Sequence, residues 1–317
     1  MTVGRSARTS AGQGTSAPDA CSVRFDRADV SAYGTAARAG FWLAVEQSGP
    51  WGRSAATESH LPVEVGRRLD GECARRGGRL SLLRAPGPHP DVHHGGGRTA
   101  YLAFSGSRPW LLAARDVTLE ELASLDLDAL AAGDAAGVRA GLPRAVEAEP
   151  VLLVCTNGRR DVCCAVRGRP VALGAAEAAP GRVWECSHTG GHRFAPTGVL
   201  LPFGATLARL DTGLCADVLR AAGEGHLPAP LLGPAHDRGR SALEPAAQAA
   251  ESWVRAQHGI TDLTALATTG PDTDGVCTVS HRDGRAWTVS TVRSARAAGL
   301  PESCGKPAVP VTEWSVS

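Results

Sequence analysis

Apolar residues in this chain gather in short runs bounded by glycine, proline or charge, the pattern of strands covered on both faces. VLLVC (Val151–Cys155) is one such run. A Gly/Arg loop, TNGRRD, follows it, and then CCAVRGRPVALGAAEA reads as a helix capped by Asp161. GRVWECS at 181–187 is a second strand. SHTGGHRFAP is a loop that Gly190, Gly191 and Pro196 keep out of regular structure. TGVLLP and ATLARLD flank Phe203 and Gly204 and predict a hairpin, and 214–222 is an amphipathic helix.

An earlier stretch repeats this order. FWLAVE (Phe41–Glu46) is a strand, 61–77 a helix, 79–85 the next strand, and 86–97 a Gly/Pro/His loop. RTAYLAF and WLLAARD then make a hairpin, and 119–133 a closing helix. Strand, helix, strand, two strands, helix is the thioredoxin-like plan. The expected fold is therefore α/β, with tandem thioredoxin-like domains, the first degenerate, and a small C-terminal α+β appendage. The boundaries read as a disordered tail at 1–20, a degenerate domain at 21–140, a second thioredoxin-like domain at 148–227 and the appendage at 241–317. Residues 228–241 read as a loop or linker. Beyond it come a helix at 243–258, with Trp253 on its apolar side, and a hairpin turning at 281–284.

Composition narrows the function. The net charge is +1, which gives no bulk attraction to nucleic acid or to an acidic membrane. Basic charge is almost all arginine, Lys306 being the single lysine. No apolar run approaches the ~18 residues of a membrane span. The first twenty residues lack the apolar middle of a signal peptide, so a cytoplasmic location is expected. Nine cysteines, an odd number, then read as buried, metal-bound or redox-active thiols and not as a disulfide framework.

Four residues carry the candidate chemistry. Cys155 ends a strand, Cys164 opens the following helix, and His188 and His192 bracket a Thr-Gly-Gly loop after the next strand. In a parallel strand-helix-strand unit these positions share the edge where strands end. Two thiolates and two imidazoles hold either Zn(II) or a [2Fe-2S] core. Finger-like zinc sites pair close cysteines with histidines on a helix. Here the cysteines are well separated and the histidines sit on glycine, which favours an object larger than one ion. Cys163, adjacent to Cys164, stays open as the second thiolate.

VCTNGRRDVCC, SHTGGHRFAPTGVLLPFG and, more weakly, GTAARAGFWLAVEQSGPWG resemble the sucrase/ferredoxin-like family of thioredoxin-like ferredoxins. The resemblance covers about residues 20 to 225 and continues loosely to Trp314. It implies a [2Fe-2S] cluster ligated by Cys155, Cys164, His188 and His192, and one-electron transfer with an unidentified redox partner, a reductase or acceptor protein. The imidazoles are expected to couple that transfer to protons. Sugar hydrolysis finds no support: aromatic residues make up 4% and no carboxylate pair stands out.

Two rivals use the same residues. One is a structural or regulatory zinc module with a closed shell. The other is a thiol oxidoreductase working through Cys163 and Cys164, although a vicinal pair lacks the C-x-x-C spacer. Cys73 and Cys215 read as core residues, Cys186 as a core residue in preference to an alternate ligand, Cys277 and Cys304 pair with nothing identifiable, and Cys21 is a distant partner only as the lesser reading. His89, His93 and His94 occupy the matching loop of the first stretch, but EQSG replaces the strand-end cysteine there. Arg159, Arg160, Arg167 and Arg193 read equally as a solvated rim or as a positive collar.

Overall fold

The computed structural model describes residue 17, residues 19–88 and residues 96–317. The expected tail at 1–20 falls largely outside the described residues, as do His89, His93 and His94. The chain is mixed α/β. One large sheet is built from β1 (Phe41–Glu46), β2 (Arg79–Arg84), β3 (Arg98–Phe104), β4 (Trp110–Val117), β5 (Val146–Glu147), β6 (Val151–Cys155), β7 (Val183–Cys186), β8 (Gly198–Leu201), β9 (Ala205–Leu207) and β10 (Asp237–Arg240). Its spatial order is β10-β9-β8-β6-β7-β2-β1-β3-β4-β5.

Two halves with one connectivity meet inside this sheet. β1 pairs parallel with β2 and antiparallel with β3, which pairs antiparallel with β4. β6 pairs parallel with β7 and antiparallel with β8, which pairs antiparallel with β9. The seam is a short antiparallel contact in which Leu83 faces Cys186 and Arg84 faces Glu185. Every side chain of β6 is buried, as the unbroken apolar run requires. On one face Leu152, Val154 and Leu200 pack with the helices Arg169–Ala178 and Thr212–Gly223. On the other face Leu153, Trp184 and Val199 share a core with Trp42, Ala44 and Tyr101 of the first half. Tyr101 and Trp184 meet edge to face with ring centroids 5.8 Å apart, and the indole donates to the Tyr101 hydroxyl at 3.2 Å. Each such side chain contributes about 1.5–3 kcal/mol through burial.

Several expectations change against this architecture. The closing helix expected at 119–133 is two short helices, Leu119–Ser124 and Leu127–Ala132, and a third, Ala135–Gly141, follows them. Asp126 and Asp134 restart the chain each time by accepting the N–H groups of Ala129 and of Ala136 and Gly137. The stretch 228–241 is not a plain linker: its last residues form β10 and extend the sheet beside β9. Cys21–Arg27, which shows too little periodicity to be recognised, is a helix. The C-terminal region carries Pro245–His258 and more strand than one hairpin. Leu266–Thr269, Val276–His281, Ala286–Ala295 and Thr312–Val316 form a four-stranded sheet, and Leu300–Pro301 pairs with Ala308–Val309. No described helix is long and apolar enough to cross a membrane.

Candidate metal centre

β6 and β7 end side by side, with Cys155 in register with Cys186. Past β6 the chain turns through 156–161, and Asp161 accepts the Cys163 N–H at 2.9 Å, starting the next helical turn. Cys164–Gly168 is a π-helical turn that runs into Arg169–Ala178. Such widened turns recur at functional positions. Gly168 permits this one, because a Cβ there would stand 2.4 Å from the Cys155 carbonyl oxygen. The result is that Cys164 lies against Cys155, both about 1% exposed. Cys163 faces the other way, toward Cys21 and Cys304.

The loop after β7 supplies the imidazoles. Gly190 and Gly191 have φ of 83° and 74°, so the chain reverses through left-handed backbone that favours glycine. A Cβ on Gly191 would sit 2.3 Å from the Arg238 guanidinium. Arg238, about 1% exposed, donates to the Gly190 carbonyl at 3.0 Å and to Thr35 Oγ1 at 3.0 Å, pinning the loop from below. His188 reaches Cys155. The His188 and His192 rings stand 5.6 Å apart at a tilt of 37°. Of the four residues singled out in the sequence, Cys155, Cys164 and His188 are thus in direct contact, and His192 joins through His188.

The electrostatics follow from that crowding. A hydrogen bond from Cys164 lowers the Cys155 thiol well below its usual range despite burial, with help from His188 and the Thr189 backbone. The same pairing and burial push Cys164 up. Burial lowers His192, although Asp161 Oδ2 lies 3.6 Å from its Nε2. Burial also lowers Arg238 to about 9, with repulsion from Arg193 next. His188 Nδ1 and both ring nitrogens of His192 are buried without a hydrogen-bond partner. Each such atom costs about 1–3 kcal/mol when left alone. Buried soft thiols beside unpartnered imidazole nitrogens are the donor set of a thiophilic metal centre, so these residues fit one.

A second group lies on the far side of the same turn. Cys21, Asp161, Cys163 and Cys304 place one ligand atom each within 4.8 Å of one another and could hold a metal ion. Sequence reading had set Cys21 and Cys304 aside, since nothing local ties either to Cys163. Arg238 was likewise missed, because it arrives on β10 far along the chain. The arginines read as a collar are mostly engaged elsewhere. Arg167 pairs with Asp26 at 2.7 Å, and Arg193 lies over the rings of Phe25 and Phe194, while Arg159 is exposed. Cys73, Cys186 and Cys215 are buried in the apolar cores.

The fold and the two donor groups define a mixed α/β protein with two clusters of soft side chains, one of which places its ligand atoms where they could hold a metal ion. The family model described as sucrase/ferredoxin-like matches residues 32–232, more than half of the 317-residue chain, and the chain belongs to that family. No curated protein and no solved structure matches it.

Proposed function

We propose that this chain is an electron-transfer protein whose [2Fe-2S] cluster is ligated by Cys155, Cys164, His188 and His192. The observation that carries the reading is the pocket itself: two buried thiols, one of them favoured as thiolate, beside imidazole nitrogens that lack a hydrogen-bond partner. We take the two sheet halves as tandem thioredoxin-like units at 21–140 and 148–227, the first without a cluster, and 241–317 as an appended unit. All nine cysteines are free, which supports a reducing, cytoplasmic setting.

The cluster would supply a one-electron couple, and the mixed ligand set places its potential above the roughly −400 mV of four-cysteine plant-type ferredoxins. The chain's own residues do the rest. Cys155 and Cys164 anchor from the buried side, and the Thr189 N–H directed at Cys155 stabilises negative charge on sulfur. His188 and His192 are half-buried and stand between the sulfurs and solvent, so a redox partner would approach over the imidazoles. Arg238 holds the Gly190–Gly191 turn in place and sets a fixed positive charge behind it.

Protein purified without air should contain about two irons and two acid-labile sulfides per chain. It should show charge-transfer absorption in the visible and an EPR signal on one-electron reduction. Replacing His188 or His192 by Cys should lower the potential and flatten its pH dependence. A colourless protein without iron or sulfide, whose zinc disappears in His188→Ala, would overturn the reading in favour of a zinc module in this pocket.

A further inference from the structure

The group formed by Cys21, Cys163, Cys304 and Asp161 draws on parts of the chain that the family match leaves out. Cys21 opens the helix Cys21–Arg27, and Cys304 sits on the turn between Leu300–Pro301 and Ala308–Val309. Both lie outside residues 32–232. Only Cys163 and Asp161 belong to the turn that also carries Cys164.

The three sulfurs form a near-equilateral triangle. Cys21 to Cys163 is 3.5 Å, Cys163 to Cys304 is 3.1 Å, and Cys304 to Cys21 is 3.6 Å. A disulfide would need about 2.05 Å, and all three thiols are free. Thiolates bound tetrahedrally at about 2.3 Å from zinc stand about 3.8 Å apart. The circle through the three sulfurs is smaller than that bond length, so a point one zinc–sulfur bond from each of them exists. Asp161 supplies a fourth donor, with Oδ1 and Oδ2 3.8 and 4.0 Å from Cys21 Sγ.

The carboxylate is held for this role. Oδ1 accepts from the Cys163 N–H at 2.9 Å, and Oδ2 accepts from the Ser303 hydroxyl at 2.7 Å and the Cys304 N–H at 3.0 Å. Oδ1 keeps a lone-pair site beyond its one backbone bond, while Oδ2 is filled by two. Asp161 is buried, and no arginine or lysine pairs with it among the described ion pairs; its one ionisable partner there is His192, whose protonated form burial disfavours. A buried carboxylate next to three thiols calls for a cation.

From this geometry we infer that Cys21, Cys163 and Cys304, with Asp161 as fourth ligand, bind a single tetrahedral Zn(II), separate from the Cys155/Cys164/His188/His192 pocket. Binding displaces the three thiol protons to solvent and forms three zinc–sulfur bonds and one zinc–oxygen bond, with no change of oxidation state. The ion closes one loop of 142 residues and another of 141, since it ties both ends of the chain to the turn at Cys163. Long closures of this kind restrict the unfolded chain most. Its role is structural: it ties the first helix and the 300–309 hairpin to the turn at Cys163.

The test uses the full chain purified without air, with zinc, iron and sulfide quantified together. Wild type is expected to carry about one zinc per chain, and Cys21→Ser and Cys304→Ser less than about a tenth of that, with iron and sulfide unchanged. In a Cys155→Ser/Cys164→Ser chain, iron should vanish while zinc stays. Should that double variant fail to fold, Co(II) replacing zinc in wild type serves instead. Sulfur-to-cobalt charge-transfer absorption, lost in Cys304→Ser, is expected. Zinc-free wild type, zinc retained in both single variants, iron lost together with zinc in Cys304→Ser, or a Cys163–Cys304 disulfide in non-reducing mass spectrometry would each overturn the inference. Because zinc and iron are read separately, failure here and failure of the [2Fe-2S] reading give different results.

Discussion

The two halves of the large sheet have the same strand order and sense but end their leading strands in opposite ways. β6 ends in Cys155, with Cys164, His188 and His192 gathered over it. β1 ends in Glu46, whose carboxylate accepts the Thr99 N–H at 3.1 Å. Just beyond, the buried Gln47 offers its carbonyl to the Trp51 indole at 2.8 Å, and the Arg84 guanidinium stacks 4.1 Å above that ring. One strand end is filled with a hydrogen-bonded indole, the other with thiols and imidazoles that keep buried nitrogens without a hydrogen bond. The comparison teaches that the scaffold positions a strand end and its loops, while a few loop residues decide whether the end is a packed plug or a metal pocket.

The largest expected effect breaks the second half alone. Cys155→Ala should remove essentially all iron and visible absorption, whereas Gln47→Ala at the first half should leave both intact; iron retained in Cys155→Ala would erase the proposed distinction. Next comes the support of the second half. β10 is clamped to the helix Pro245–His258 by Glu251, which meets Arg240 at 2.6 and 2.7 Å, Arg255 at 3.3 Å and Thr268 at 2.8 Å. Removing one partner of such a buried pair costs about 3–5 kcal/mol, so Glu251→Ala should lower the denaturant midpoint strongly. Burial works against the Glu251 charge, but Arg240 and then Arg255 outweigh it and hold the carboxyl at about 2, against an ordinary 4.5. Its folded value is depressed, so its stabilisation is complete above about 4.5 and is lost as pH falls toward about 2. Acid unfolding of wild type should steepen in that window, and a variant lacking the Glu251 carboxylate should not show that component.

Trp51→Ala sharpens the contrast from the other side. Emptying a site that is 3% exposed should cost about 3–5 kcal/mol in chemical denaturation while leaving the iron-to-protein ratio unchanged. Loss of iron there would mean that the first half shapes the pocket. The smallest effect is expected from Gly191→Ala, where the left-handed φ and the clash with Arg238 together should cost about 1–3 kcal/mol. Its signature is partial iron loading and not its absence.

Much of this was legible one segment at a time. The runs that became β1, β2, β6 and β7, the helix after Cys164 and the irregular Gly-Gly loop all announce themselves through periodicity and turn chemistry, which act over a few residues. A single helix at 119–133 is expected from the sequence because the apolar spacing continues across the break that Asp126 introduces. β10 was hidden because DRGR has no strand pattern of its own and becomes a strand only by pairing with β9.

What the amino-acid order determined by itself is local: which segments bury apolar faces, where glycine lets the chain turn, and which side chains stand at the ends of those segments. Only the tertiary structure decided which neighbour of the Cys163–Cys164 pair turns to Cys155, that Arg238 backs the glycine loop, and that Cys21 and Cys304, 283 positions apart, come within 3.6 Å. Those choices depend on how helices and sheet pack, and packing joins residues by distance in space, a quantity that spacing along the chain does not contain.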